Sequence, residues 1–288
     1  MHLGVTFPQT EIGTDPHVIR DYAQAAEDLG YQHLLVYDHV IGAQPGEHRP
    51  KWRGPYNYQS TFHEPFVLFG YLGAVTTRLE FVTGILILPQ RQTALAAKQA
   101  AAVDVLTGGR LRLGVAIGWN DVEYEVLNEN FRNRGRRIEE QLEVMRLLWT
   151  QDVVVYKGRW HHLDHVAICP LPVQRPIPLI IGGMSEAAMT RAARLADGWY
   201  PQFRPGGPDP QETLDRFFSY VREAGRDPED VSIQSSAGMM GNPDEWARRI
   251  EQLSKAGATH ISVNTMGLGL TNPREHIEAI RRYKEAVG

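Results

Sequence analysis

Residues 26–40 read AEDLGYQHLLVYDHV: a helical pattern, a stop at Gly30, then an apolar run that breaks off on Asp38 and His39. The junction recurs at residues 253–263, LSKAGATHISV, where Gly257 closes a helix and an apolar strand follows at once. Glycine just past the last helical residue supplies the left-handed backbone of a helix C-terminus. A helix that leads straight into a buried strand is the repeating unit of a parallel sheet, whose neighbouring strands need a crossover between them. Working outward, β-like runs alternate with helical patterns from end to end. Strands are expected at 2–7, 34–38, 81–88, 111–117, 178–183, 198–202, 231–237 and 260–265, with helical patterns between and after them. The first helix opens on Asp15 as N-cap with Pro16 behind it. Eight such units without a composition break predict the α/β class, a (β/α)8 TIM barrel with insertions in the βα loops, as one domain over 1–288. The doubly wound open sheet is the alternative. Residues 42–62, rich in Gly, Pro, Tyr and Trp, are too long for an ordinary connection and read as a lid or pocket wall. Residues 152–170 read as a hairpin turning at Lys157 and Gly158.

Composition narrows the partners. The 288 residues are 42% hydrophobic and 22% charged, with a formal net charge of -4, so no basic excess is present to hold a phosphate backbone, and nucleic acid is not expected. No basic N-terminal segment precedes a long apolar run, and no stretch reaches the roughly 20 apolar residues of a membrane span; a cytoplasmic protein is expected. The single cysteine, Cys169, excludes an internal disulfide and a thiolate-rich metal site, and is expected to be buried. The run HHLDH, 161–165, holds four metal-ligand types, but a hairpin strand turns neighbours to opposite faces, so no metal is expected.

Barrels gather active groups at the carboxyl ends of their strands. Asp38 and His39, at the end of the second strand, are therefore expected at the mouth. His39 suits proton transfer, since the unperturbed imidazole titrates near pH 6.5, and Asp38, pointing elsewhere by strand alternation, suits cofactor binding. Gly84 inside the third strand marks a bulge or a close ligand approach. Gly182 and Gly183, followed by Ser185 as a helix N-cap, form a candidate anion site. Trp52, Tyr56 and Tyr58 of the 42–62 insertion are expected to wall a substrate pocket. A G-x-G-x-x-G fingerprint and a G-x-S-x-G elbow are both missing from the sequence.

The succession GVTFPQ, HLLVYDHV, VTGILILPQRQTALAAKQAAAVDVLTGGRLRLGVAIGWNDVEYEVL, RGRRIEEQLEVMRLLW and IIGGMSEAAMTRAARLADGWYP resembles the bacterial luciferase-like superfamily. It is closest to the small oxidoreductases that use the deazaflavin coenzyme F420, and its most specific block is 83–119. The resemblance implies a flavin-shaped ring in the barrel mouth, touched by the Asp38–His39 pair. It implies that Thr83, Gly84 and Ile85 support one face of that ring around a non-prolyl cis peptide, and that Gly182, Gly183, Ser185 and Glu186 hold its phosphate. Trp119 stands where F420-dependent sugar-phosphate dehydrogenases carry a glutamate base. The resemblance thus turns away from sugar phosphates toward an aromatic wall beside the cofactor and an apolar or aromatic substrate. The expected function is F420-dependent hydride transfer to or from a small organic substrate, in a homodimer. The alternatives are an FMN-dependent monooxygenase and a non-catalytic flavin carrier.

Overall fold

The computed structural model describes residues 1–47, 49, 54–204 and 206–288. Its first half runs β1 (His2–Thr6), α1 (Pro16–Asp28), β2 (His33–Val36), α2 (Pro65–Val75), β3 (Glu80–Thr83), β4 (Leu86–Ile87), α3 (Thr93–Thr107), β5 (Leu111–Ala116), α4 (Asp121–Val126) and α5 (Arg134–Thr150). The second half runs β6 (Val154–Lys157), β7 (His162–Val166), β8 (Leu179–Gly182), α6 (Glu186–Leu195), β9 (Gly198–Tyr200), α7 (Pro210–Glu223), β10 (Ser232–Gly238), α8 (Pro243–Ala256), β11 (His260–Asn264) and α9 (Pro273–Val287).

The order β1, β2, β3, β5, β8, β9, β10, β11 and back to β1 closes an eight-stranded parallel barrel ringed by helices, as the alternation of strand and helix predicts. β4 continues β3 beyond an irregularity. Between the pairs Val82–Arg112 and Leu86–Val115, four residue steps on one strand face three on the other, so one residue is extra and the strand bulges. The Gly84–Ile85 peptide within it is cis. The bulge fits against β5 because residue 114 is glycine: a Cβ there would lie 1.9 Å from the Thr83 carbonyl oxygen. The hairpin is β6–β7, with Lys157 opposite His162, so its turn lies at 158–161, slightly later than expected. Helix α4 was not expected from the sequence; at 6 residues it is too short to show a helical period.

Strand alternation divides the core. Leu34 and Val36 join the large apolar cluster between barrel and helices, whereas Leu35 packs with Val82, Ile180 and Tyr200 inside the barrel. The layer beneath is polar. Buried Arg112 donates to Gln234 Oε1 (3.2 Å), the Gln234 amide donates to Ser262 Oγ (3.0 Å), and His33 Nε2 lies 2.8 Å from the same hydroxyl. Burial first, then the neighbouring Arg112, His260 and His2, push the His33 imidazole well below its usual 6.5.

That depression has a defined sign. Below about pH 6.5 the unfolded chain protonates at residue 33 while the folded chain stays neutral, so the unfolded state binds more protons and stability falls as pH drops. The slope for one such histidine is about 1.4 kcal/mol per pH unit. We expect the urea midpoint to fall between pH 7 and pH 5, and to fall less steeply in His33→Gln. An unchanged slope in that variant would contradict the assignment.

Candidate active site

Where β2 ends, its inward-facing residues continue as Tyr37 and His39, and both line a cavity of about 360 Å³ at the barrel mouth. Its walls come from the ends of β2, β9, β10 and β11 and from the bulge between β3 and β4, which contributes Gly84 and Ile85. His39 is fixed from behind. Its Nδ1 lies 3.1 Å from Oε1 of Glu123, a fully buried residue on α4. The same oxygen accepts the Val40 N–H at 3.0 Å, and Oε2 accepts from Gln90 Nε2 at 2.9 Å. Burial pushes the Glu123 carboxyl up, but the bonds from His39, Gln90 and Val40 outweigh it and hold the group below the usual carboxylate range. A charged Glu123 keeps a proton on His39 Nδ1 and leaves Nε2 as the nitrogen for the cavity. Tyr56, Phe62 and Trp119 surround the imidazole edge-on, with ring centroids at 4.9, 4.8 and 5.7 Å.

Asp38 also lines the cavity, but its carboxylate is bonded within the protein. Oδ2 accepts the Ile87 N–H at 2.9 Å and Oδ1 accepts from Arg91 at 2.8 Å, while Arg91 also grips Glu64 at 2.8 Å. Burial raises the Asp38 carboxyl above its ordinary value, and the Arg91 cation and Ile87 N–H offset part of that. The geometry makes Asp38 a brace for the bulged strand. Alternation does separate the two side chains as expected: His39 faces the mouth and Asp38 the bulge.

The other expected residues divide. Gly84, Ile85, Trp119 and Tyr56 border the larger cavity, and Tyr58 borders a second one of about 330 Å³. The two cavities share His39 and Tyr56. Trp52 lies outside the described residues. Thr83 is fully buried behind the wall, its hydroxyl donating to the Gly114 carbonyl at 2.6 Å. Gly182, Gly183, Ser185 and Glu186 do not border either cavity. Gly182 ends β8, where a Cβ would press on Ile85 Cγ2 at 2.9 Å, so it makes room for the bulge. Gly183, at φ +125°, gives its N–H to the Tyr200 carbonyl (3.3 Å), which corrects the expectation of two free glycine donors. Ser185 caps α6 through the Ala188 N–H, and the Glu186 carboxylate accepts from Tyr220. In the hairpin, His161 is bound between Glu140 and Thr93, at 2.8 and 2.6 Å. Cys169 is exposed, contrary to expectation.

Sequence reasoning missed Glu123, Gln90 and Arg91, which fix His39 and Asp38, and Arg204, a charged side chain on the cavity wall. The only signal for Glu123 was its place three residues after Asn120, which caps α4.

Comparison with known proteins agrees with this architecture. The chain is 38% identical over 299 residues to an uncharacterized protein of Mycobacterium tuberculosis, covering 98% of both. It is 33% identical over 196 residues to an FMNH2-dependent dimethylsulfone monooxygenase of Pseudomonas fluorescens, covering 67% of this chain and 49% of that one. Among solved structures, an F420-dependent secondary alcohol dehydrogenase in complex with an F420–acetone adduct superposes with a TM-score of 0.79 at 18% identity, over 100% of this chain and 99% of that one. The model of the luciferase-like monooxygenase family matches residues 1–249, and with the closed barrel this places the chain in that family of oxidoreductases and monooxygenases.

Proposed function

We propose that the protein is an F420-dependent oxidoreductase that moves a hydride between the deazaflavin and a small organic substrate. The observation that carries the proposal is His39, held at the cavity wall on a buried, charged Glu123. A passive carrier has no need of such a pair. The larger cavity also fits an anionic cofactor: Arg204 borders it and pairs with no carboxylate among the described residues. The backbone N–H groups of Ser185 and Glu186, unbonded among the described residues, open α6 and suit a phosphate in place of the two glycines.

When bound, F420 supplies or accepts the hydride. The chain does the rest. The bulge at Gly84 and Ile85 would back the ring, and Asp38 with Arg91 holds that bulge in place. His39 Nε2 takes a proton from a substrate hydroxyl during oxidation or returns it during reduction, while Glu123 keeps Nδ1 protonated and stabilises the imidazolium. FMN is the second reading, favoured by the 33% identity to the FMNH2-dependent relative. We further propose a homodimer, because α2 and α3 leave Val67 (72% exposed) and Leu106 (72%) in water.

Fluorescence titration of the pure protein separates the cofactors. F420 should bind more tightly than FMN; tight FMN binding with no detectable F420 binding would refute the first reading. His39→Ala should lower turnover about 10²–10⁴-fold, the usual share of a general acid–base group, with cofactor affinity nearly kept. Glu123→Gln keeps the shape but not the charge, and should lower kcat in the same direction with cofactor affinity unchanged. Wild-type turnover in His39→Ala would leave the imidazole without a catalytic part. Light scattering at micromolar concentration should give twice the chain mass, and Leu106→Glu should shift it to the monomer.

A further inference from the structure

One short turn, Leu88–Gln90 with Arg91 behind it, joins the bulged strand to α3 and serves both buried carboxylates. From it Gln90 Nε2 donates to Glu123 Oε2 (2.9 Å) and Arg91 donates to Asp38 Oδ1 (2.8 Å). The turn stands beyond Ile87–Ala116, the last pair that β4 makes with β5, so side chains have to place it.

Gln141, in the middle of α5 and fully buried, does so. Its Nε2 lies 3.2 Å from the Leu88 carbonyl oxygen, 3.2 Å from that of Arg91 and 3.0 Å from Thr93 Oγ1. A single amide nitrogen therefore bridges the two ends of the turn and the first residue of α3. Oε1 of the same amide has no partner among the described residues. A buried acceptor left unbonded costs free energy that an apolar side chain of the same length would not, so packing alone does not account for glutamine here. The hairpin fixes which way the amide points. His161 Nδ1 donates to Glu140 Oε1 (2.8 Å), which leaves Nε2 as the acceptor for the Thr93 hydroxyl proton (2.6 Å). With its proton directed to His161, the hydroxyl oxygen accepts from Gln141, and the bonds run in one direction from the hairpin to the carbonyls of the turn.

We propose that Gln141 is a positioning residue for the proton-transfer pair: its amide holds the 88–91 turn where Gln90 bonds Glu123, and so keeps that carboxylate charged behind His39. The inference rests on the reading of His39 as the proton-transfer group, and adds a residue that borders neither cavity.

Gln141→Met and Gln141→Leu keep the bulk and the helix propensity while removing the donor. In protein made with isotope-labelled glutamate and no cofactor, NMR should show the Glu123 carboxyl titrating at higher pH in both variants, because a carboxylate that loses a donor holds its proton more tightly. Gln90→Met should move it in the same direction, and Gln141→Met added to Gln90→Met should move it no further, whereas independent contributions would add. With substrate, kcat should fall about threefold or more while KM stays within about twofold. The loss is partial because Arg137 still bonds the Pro89 carbonyl at 2.5 Å. A wild-type carboxyl titration in the folded variants, additive shifts in the double variant, or loss of the fold in both Gln141 variants would overturn the proposal. The carboxyl measurement needs neither cofactor nor substrate, so it decides this inference even where both cofactors fail to bind. A shifted carboxyl with wild-type turnover would instead count against the catalytic reading of His39.

Discussion

The buried carboxylate of Glu123 is the contact on which the site depends. Removing an ion from water is costly, and the group stays charged in the interior only because three donors from two other segments converge on it. Those segments are the end of β2 and the stretch after β4, and the acid itself stands on α4. Each is a loop or a short element without the barrel's ladder to hold it, so the charge that needs all three also fixes them relative to one another. The imidazole is the one donor that can release its position to chemistry. Its Val40 and Gln90 companions are neutral and keep the carboxylate satisfied whatever the protonation state of His39.

Asp38 repeats the arrangement on the other side of the bulge. Its oxygens take the Ile87 N–H and the Arg91 guanidinium, which reaches on to Glu64 at the start of α2. The two buried carboxylates raise one another's cost, since the charge on Glu123 pushes the Asp38 carboxyl upward. Arg91 offsets that, being itself partly buried and held by two acids. The wall of the larger cavity is therefore assembled by ion pairing at its edges and by small residues at its centre. Gly114 admits the Thr83 carbonyl and Gly182 admits the Ile85 side chain.

The barrel was legible because its signals are local and repeated: apolar runs, glycine stops, and a period that switches between strand and helix. The eight strands stand where the pattern placed them, and Gly84 was correctly a bulge. Alternation also told Asp38 from His39. It could not say what Asp38 would touch, because Arg91 and Ile87 are 49 to 53 residues away in sequence. Glu123 shows the same limit more sharply. Asn242 and Glu245 form a capping box at α8, with the acid returning to the cap's own N–H. Asn120 and Glu123 have the same spacing at α4, yet that acid turns to His39 and Val40 from another strand. Nothing local distinguishes the two; the partner across the barrel decides. The expectation of free N–H groups at 182–183 failed for a related reason, since the partners of these glycines, Ile85 and Tyr200, are distant in the chain.

The division of labour among the loops bears on how such a site changes its chemistry. His39 follows the end of β2 and Glu123 stands on α4, and both are tied to the scaffold by buried bonds, so substitutions there disturb several segments at once. Tyr56, Tyr58 and Phe62 come from the long insertion after β2, whose neck is closed by the Tyr58 N–H on the Ala43 carbonyl at 3.1 Å. That closure lets the insertion vary in length and side chains while its two ends stay put. Side chains in the walls of the smaller cavity can therefore change without touching the bonds that join His39 to Glu123. Asn120 is the exception among those walls: it caps α4 and so belongs to both parts, which makes it the position where a substitution would most directly disturb the support of Glu123.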